Sequence, residues 1–422
     1  MISTLAERRR LMQLERAALE TLQLAKLNAL VAEVKASPFY AAKLAGIRSS
    51  ISSLDQLREL PFTTKDELIP NASEPLLPRH HTAPLGEYAR FHQTSGTRGR
   101  PLPVLDTASD WQWWIECWQF VLDAAEVQSS DRALLAFSFG PFVGFWSAFD
   151  AFVARGSLVI PGGGLSSRAR LDLIARTQPN VLLCTPSYSL RLAEVGLEAG
   201  IRLGDLGVKK IIVAGEPGGS VPATRSRIEA TWNATVIDHA GATEIGAWGF
   251  GDAVGSGLYG LESEFIFELL RPTDNQPAAP GELAQLVITS LGRRGCPVLR
   301  YRTGDLVRAE YPTTGNCRFV HFPGGVLGRA DEMLVVRGVN VFPSAIEQIV
   351  HGFPEVIAYR LTVRKRGELD ELLLEVEDRM QRPERIATEL ELRLGLHVEV
   401  GLVPPMSLPR SEGKRQSLID AR

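Results

Sequence analysis

From position 94 the chain reads Thr94-Ser95-Gly96-Thr97-Arg98-Gly99-Arg100-Pro101, three hydroxyls, two glycines and two arginines within eight residues. Glycines let a backbone curl until several N–H groups face one anion, hydroxyls add donors and arginines add charge, a combination suited to a polyphosphate. An ordinary surface loop is built from the same residue types, so this run alone does not decide. A second group, Asp238-His239-Ala240-Gly241-Ala242-Thr243-Glu244, follows an apolar run that reads as a strand. A carboxylate at that place in an open α/β sheet can hold a magnesium ion on a nucleotide, and it can equally be a helix cap beside a solvated glutamate. The third is Tyr301-Arg302-Thr303-Gly304-Asp305-Leu306, with Gly328-Arg329-Ala330-Asp331-Glu332 downstream. An aspartate in a Thr-Gly turn can accept from two adjacent sugar hydroxyls and an arginine can donate to sugar or phosphate, although a turn aspartate also bonds its own backbone. The last is Pro409-Arg410-Ser411-Glu412-Gly413-Lys414, where a lone lysine would ordinarily be solvated.

The elements around these groups define the fold class. Residues 5–34 repeat apolar positions every three or four residues, the pattern of one amphipathic helix on a larger body, ended by Ser37-Pro38. Short apolar runs at 133–139, 157–160, 181–185, 210–214 and 235–238 alternate with helical segments, as βαβ units require. The expectation is an α/β protein whose large N-terminal domain holds mostly parallel sheets covered by helices. After about residue 250, segments 265–269 and 283–289 alternate like antiparallel strands around a turn-rich 272–281, which suggests a small β subdomain. From Gly328 onward strands such as 334–336 and 372–376 mix with helices at 344–351 and 383–394, a small α+β C-terminal domain. The expected domains are therefore 1–327 and 328–422.

Composition narrows the function. The chain has 422 residues, 45% of them hydrophobic, with 46 Lys+Arg against 49 Asp+Glu and a net charge of −3. That is a globular protein with a substantial core and no basic run able to neutralise a nucleic acid backbone. No apolar stretch reaches the roughly 18 residues of a membrane span, and the charged segment after Arg8, Arg9 and Arg10 does not suit a signal peptide, so a cytoplasmic protein is expected. Cys117, Cys184, Cys296 and Cys317 are too widely separated for a metal knuckle, and no zinc is expected.

In their order along the chain, the four chemical segments resemble the motifs of the adenylate-forming superfamily of acyl-CoA synthetases, carrier-protein adenylation domains and luciferases. Ser37-Pro38-Phe39-Tyr40, Leu60-Pro61-Phe62-Thr63-Thr64-Lys65, Cys184-Thr185-Pro186-Ser187-Tyr188 and Arg337-Gly338-Val339-Asn340-Val341-Phe342-Pro343 further resemble its phenylacetate-CoA ligase branch. The resemblance spans about residues 37–414.

It implies an ATP-dependent carboxylate-CoA ligase that forms an acyl-adenylate and then a thioester. By similarity, Thr94, Ser95, Gly96, Thr97 and Gly99 would cradle the β and γ phosphates, and Glu244, with Thr243 beside it, would hold Mg²⁺. Gly215, Glu216 and Pro217 would approach adenine and the acyl group, with His239, Ala240 and Gly241 completing the nucleotide site. Asp305 would take the ribose hydroxyls and Arg329 would lie near ribose and phosphate. Lys414 would bridge the attacking carboxylate and the nucleotide. Asp331 would be the hinge of a mobile C-terminal domain that replaces Lys414 by a face containing Gly338, leaving room for the pantetheine arm of CoA. An aromatic concentration of Phe137, Phe139, Phe142, Phe145 and Trp146 fits either core packing or, as in relatives that take aryl or arylacetic acids, an acyl pocket formed by Phe137, Phe139, Phe142 and Ala214. Two departures stand out: Ala240 occupies the place of an adenine-stacking aromatic residue, for which His239 is either a conceivable substitute or, the favoured reading, a structural histidine, and Arg98 replaces a threonine. The alternatives are an adenylating enzyme that loads a carrier-protein thiol and a nucleotide- or acyl-binding protein that has lost catalysis. A homodimer is expected only from relatives.

Overall fold

The computed structural model describes residues 2–46, 50–71, 73–94, 101–137, 140–330, 334–336, 339–341, 343–366, 369–394, 396–408 and 418–421. The N-terminal helical pattern is broken in two, Leu5–Met12 and Arg16–Val34, not continuous as expected. Thr4 and Glu7 close a capping box on the first helix, and Gln13 leaves helical geometry at ψ 4°. The break lets each helix make its own buried attachment. Arg8 pairs with Asp123 at 2.5 Å, while Arg16 pairs with Glu262 at 2.6 Å.

Strands β1 (Tyr88–Gln93) and β2 (Pro103–Thr107) form an antiparallel hairpin. The five apolar runs become β3 (Arg132–Leu135), β4 (Leu158–Pro161), β5 (Val181–Cys184), β6 (Lys210–Ala214) and β7 (Thr235–Ala242), all parallel to their neighbours among these five. The apolar residues of β3, β5, β6 and β7 are buried on both faces, the pattern expected of interior parallel strands, while β4 is the half-exposed edge. The sheet then changes sense, as β8 (Gly246–Phe250) and β9 (Gly257–Gly260) add to β7 antiparallel. β10 (Phe265–Leu270), β11 (Ala284–Ser290) and β12 (Tyr301–Val307) are the expected antiparallel subdomain. β13 (His321–Pro323) returns to the edge of the large sheet, giving it eight strands, and β14 (Gly328–Arg329) completes a four-stranded sheet beside β12.

Beyond it, β15 (Leu334–Val336) pairs with β16 (Val339–Val341), and β17 (Val356–Arg366) pairs with β18 (Leu369–Asp378). β19 (Glu399–Leu402) and β20 (Leu418–Ala421) flank that pair in parallel. With helices Pro343–His351 and Pro383–Leu394 they enclose an apolar cluster of their own that includes Ile346, Leu374 and Ile386. Thr224 Oγ1 and His351 Nδ1, 2.9 Å apart, link this part to helix Pro222–Trp232 of the body. No helix among the described residues is long and apolar enough to cross a membrane.

Helix Ala108–Ala124 runs behind the change of sense and carries four tryptophans, of which Trp113 abuts Gly246 at the start of β8. Gly246 has φ +136°, and a Cβ there would stand 2.7 Å from Trp113 and 2.9 Å from Phe265. Backbone strain and overpacking both oppose any side chain. Gly246→Ala should destabilise the protein by about 2–4 kcal/mol, read as a lower Tm, and an unchanged Tm would show that this corner repacks freely.

Candidate active site

The hairpin β1–β2 is closed by Thr94 and Leu102. The Thr94 amide donates to the Leu102 carbonyl at 3.0 Å, and the Leu102 amide donates to Thr94 Oγ1 at 3.0 Å. Thr94 is therefore the fixed root of the hydroxyl- and glycine-rich loop. Ser95, Gly96, Thr97, Arg98 and Gly99 lie outside the described residues, as do Phe139, Asp331, Gly338 and Lys414.

Glu244 sits in the three-residue turn between β7 and β8, which excludes the helix cap considered from sequence. Its side chain is 10% exposed, and Lys65 Nζ lies 3.3 Å from Oε1. The Tyr301 hydroxyl donates to the same oxygen at 3.3 Å. None of the described residues reaches Oε2, so a hard, anionic oxygen is left for a cation, and the donor chemistry fits magnesium. Burial, then the charge of Glu244, pushes the Tyr301 phenol well above its ordinary range, so it remains a donor at any working pH. Lys65 lies in the Leu60–Lys65 segment that resembles the phenylacetate-CoA ligase branch. Its contact spans distant segments, and no local pattern signals it.

Tyr301 begins β12, and Thr303 and Asp305 follow it through a stretch where the pairing with β11 shifts register. The Asp305 amide donates to Thr303 Oγ1 at 2.9 Å, and Arg329 Nη1, from β14, lies 3.2 Å from Asp305 Oδ1. Arg329 also donates to the Thr303 carbonyl at 3.2 Å. Gly304 between them has φ +81°, and a Cβ there would press on Arg329 Nη2 at 2.7 Å. The Tyr301–Glu244 contact brings the second and third sequence motifs together, with the Asp305–Arg329 pair further along β12 and β14.

The other candidates lie around the ends of β6 and β7 and in the core behind them. Asp238 is turned into the core, where Ser220 Oγ donates to it at 2.5 Å and the His239 amide at 3.0 Å. Burial raises it to about 6. His239 is also buried, with Nδ1 2.8 Å from the Gly249 carbonyl and its ring 4.3 Å from that of Trp118. Its imidazole is a core residue, not a stand-in for an adenine-stacking ring. Ala240 lies opposite Gly249 in the β7–β8 ladder and is followed by the exposed Gly241 and by Thr243, whose carbonyl accepts from Arg293. Gly215, at φ +91°, and Pro217 follow Ala214 at the C-terminal end of β6. Between them Glu216 takes the Ser187 amide at 2.7 Å, filling an open donor in the first turn of helix Pro186–Glu198. Phe137 packs on the edge of the core below this end of the sheet, Phe142 is 43% exposed, and Phe145 is fully enclosed. Trp146 donates to the Gly140 carbonyl at 2.9 Å. Cys117, Cys184 and Cys296 are buried thiols that burial holds above their usual range.

Burial lowers His239 to about 4. The unfolded chain, with an ordinary histidine near 6.5, then binds a proton between about pH 6.5 and 4 that the folded chain does not. This group's contribution is full above pH 6.5 and is lost as pH falls. His239→Asn keeps a donor toward Gly249, and it should flatten the acid loss of stability by up to about 1.4 kcal/mol per pH unit in that window. Denaturant unfolding at pH 7, 6 and 5 measures it, and parallel curves for wild type and variant would contradict the assignment.

The chain matches the family model described as AMP-binding enzyme C-terminal domain over residues 338–422. It is 32% identical to a phenylacetate-coenzyme A ligase of Thermus thermophilus, over 97% of this chain and 98% of that one. It is also 32% identical to one from Escherichia coli, over 91% and 90% of the two chains. Among solved structures, a 2-hydroxyisobutyryl-CoA ligase in the postadenylation state superposes with a TM-score of 0.93 at 24% identity, covering 100% of this chain and 94% of that one. In the thioesterification state the same ligase, with the same coverage, gives a TM-score of 0.75 at 25% identity. Full-length likeness in sequence and in fold together establish that the chain belongs to the phenylacetate-CoA ligase family of AMP-forming acid–CoA ligases.

Proposed function

We propose that the acid activated by this ligase is an aryl or arylacetic acid, and that Glu244 and Lys414 carry the charge of its adenylation. The Tyr301–Glu244 contact and the Asp305–Arg329 pair on the same strand support this reading, since a metal-holding carboxylate and a ribose-binding carboxylate must face one nucleotide. One acid oxygen attacks the α-phosphorus of ATP and pyrophosphate leaves. The sulfur of CoA then attacks the acyl carbon, AMP leaves and the thiol proton is released. Bringing a carboxylate to a polyphosphate sets two anions together, and a fixed lysine at that oxygen offsets the repulsion most in the transition state. Magnesium, when bound, would neutralise the polyphosphate, with Glu244 Oε2 as its protein oxygen.

Asp305 would accept from both ribose hydroxyls while Arg329 fixes its carboxylate. Thr94 would anchor the residues cradling the β and γ phosphates, and the ends of β3 and β6, with Phe137, Phe142 and Ala214, would face the acyl group. Residues 1–327 form the nucleotide- and acid-binding body in this reading, and 328–422 the part that turns about Asp331 to bring Gly338 toward the thiol. The higher TM-score with the postadenylation state than with the thioesterification state supports such a turn. CoA, not a carrier protein, is the thiol in this reading, and the cytoplasm is the compartment that supplies it with ATP.

ATP–pyrophosphate exchange across a panel of acids tests the substrate class. Arylacetic and benzoic acids should exchange fastest, and faster exchange with short aliphatic acids would overturn it. Lys414→Ala should cut exchange by about 10²–10³-fold while CoA still consumes supplied acyl-adenylate. Equal loss of both half-reactions would remove Lys414 from its assigned step.

A further inference from the structure

Arg293 and Asp106 are both fully buried, and the function above gives neither a role. Arg293 Nε donates to Asp106 Oδ1 at 2.8 Å, and Nη2 lies 2.7 Å from the same oxygen. Replacing such a pair by apolar residues of equal volume is often neutral or stabilising, so stability alone gives little reason to bury it. The third nitrogen is informative. Nη1 donates to the carbonyl of Thr243 at 2.8 Å, directly before Glu244.

The surroundings leave the guanidinium little freedom. It lies 5.7 Å over the ring of Trp114, and the next two residues are pinned because the amides of Arg294 and Gly295 donate to Asp110 at 2.6 and 3.2 Å. His80, which burial beside Arg293 lowers to about 3, stays neutral and adds no competing charge. His92 Nδ1 stands 3.7 Å from Asp106 Oδ2. Asp106 is on β2 and His92 on β1, so the pair is fixed to the same hairpin whose far end is closed by Thr94.

We propose that Arg293, oriented by Asp106, is a positioning residue that sets the Glu244 turn in register with the root of the phosphate loop. The inference rests on the reading of Glu244 as the metal-holding carboxylate. Groups that orient a metal ligand typically contribute 10–100-fold to metal affinity when tested by mutation. A turn hung from a planar guanidinium cannot tilt without breaking a bond to a group that no water can replace. Lysine at this position keeps the charge but cannot serve Asp106 and the Thr243 carbonyl in the same fork.

The test compares wild type with Arg293→Lys, Asp106→Asn and Glu244→Gln. Two quantities are read for each: the free Mg²⁺ giving half-maximal adenylation, and the rise in Tm on adding Mg·ATP. Arg293→Lys and Asp106→Asn should raise the Mg²⁺ requirement by about 10–100-fold and shrink the rise in Tm, while conversion of supplied acyl-adenylate by CoA keeps its rate. If either variant does not fold, the other carries the measurement. An unchanged Mg²⁺ requirement in the folded variants, or an equal fall in both half-reactions, overturns the positioning role. If Glu244→Gln itself leaves the Mg²⁺ requirement unchanged, the metal reading has failed and the inference falls with it. A shift in Glu244→Gln without one in Arg293→Lys overturns the inference alone.

Discussion

A guanidinium without solvent contact joins three distant parts of this chain. Arg293 leaves the loop between β11 and β12, finds its counter-charge on β2, and donates from Nη1 to the turn after β7. Each of those parts also leads to one side of the candidate site: the loop to Asp305, the hairpin to Thr94, the turn to Glu244. Inside a protein a bond of this kind is stiff, because the alternative to keeping it is a buried charge or carbonyl with nothing to bond. The relative placement of the three motifs is therefore set beneath the surface, where substrate and solvent do not reach.

A second constraint follows from the sheet. Parallel strands β3 to β7 end at one edge, the edge where open α/β sheets bind ligands. Had β7 been followed by a helix, Glu244 would have stood on a helix start with freedom to move. The antiparallel return of β8 instead closes a tight turn, and Gly246, lodged against Trp113 and Phe265, leaves no space for another path. β12 then crosses with Tyr301 at its start and Asp305 further along. The Tyr301 phenol bonds the carboxylate on the turn, and Arg329 pairs with the carboxylate on the strand.

Much of this was legible in the sequence. The five apolar runs of the parallel sheet, the strands at 265–269 and 283–289, and the helix Pro383–Leu394 were marked by their periodicity, because burial on one or two faces imposes it. The motifs at Glu244 and Asp305 carried residue types rare enough in that order to resemble one family. What periodicity could not register was a side chain's direction. Asp238 and Glu244 look alike as acidic residues near a strand end and are almost equally buried, yet one accepts from Ser220 and the other meets Lys65 and Tyr301. His239 offered a ring where an aromatic was missing, and only the Gly249 carbonyl and the Trp118 ring reveal that it points inward. The break at Gln13 and the roles of Lys65 and Arg293 depend on contacts with residues far along the chain, and no local signal encodes those.

The central claim is that the roots of these motifs converge on one nucleotide. A crystal structure with a non-hydrolysable acyl-adenylate mimic carrying an arylacetyl group measures that convergence directly. Both ribose hydroxyls should lie within hydrogen-bonding distance of the Asp305 carboxylate, and the acyl group at the ends of β3 and β6. A mimic bound elsewhere, or with its ribose turned away from β12, would contradict it.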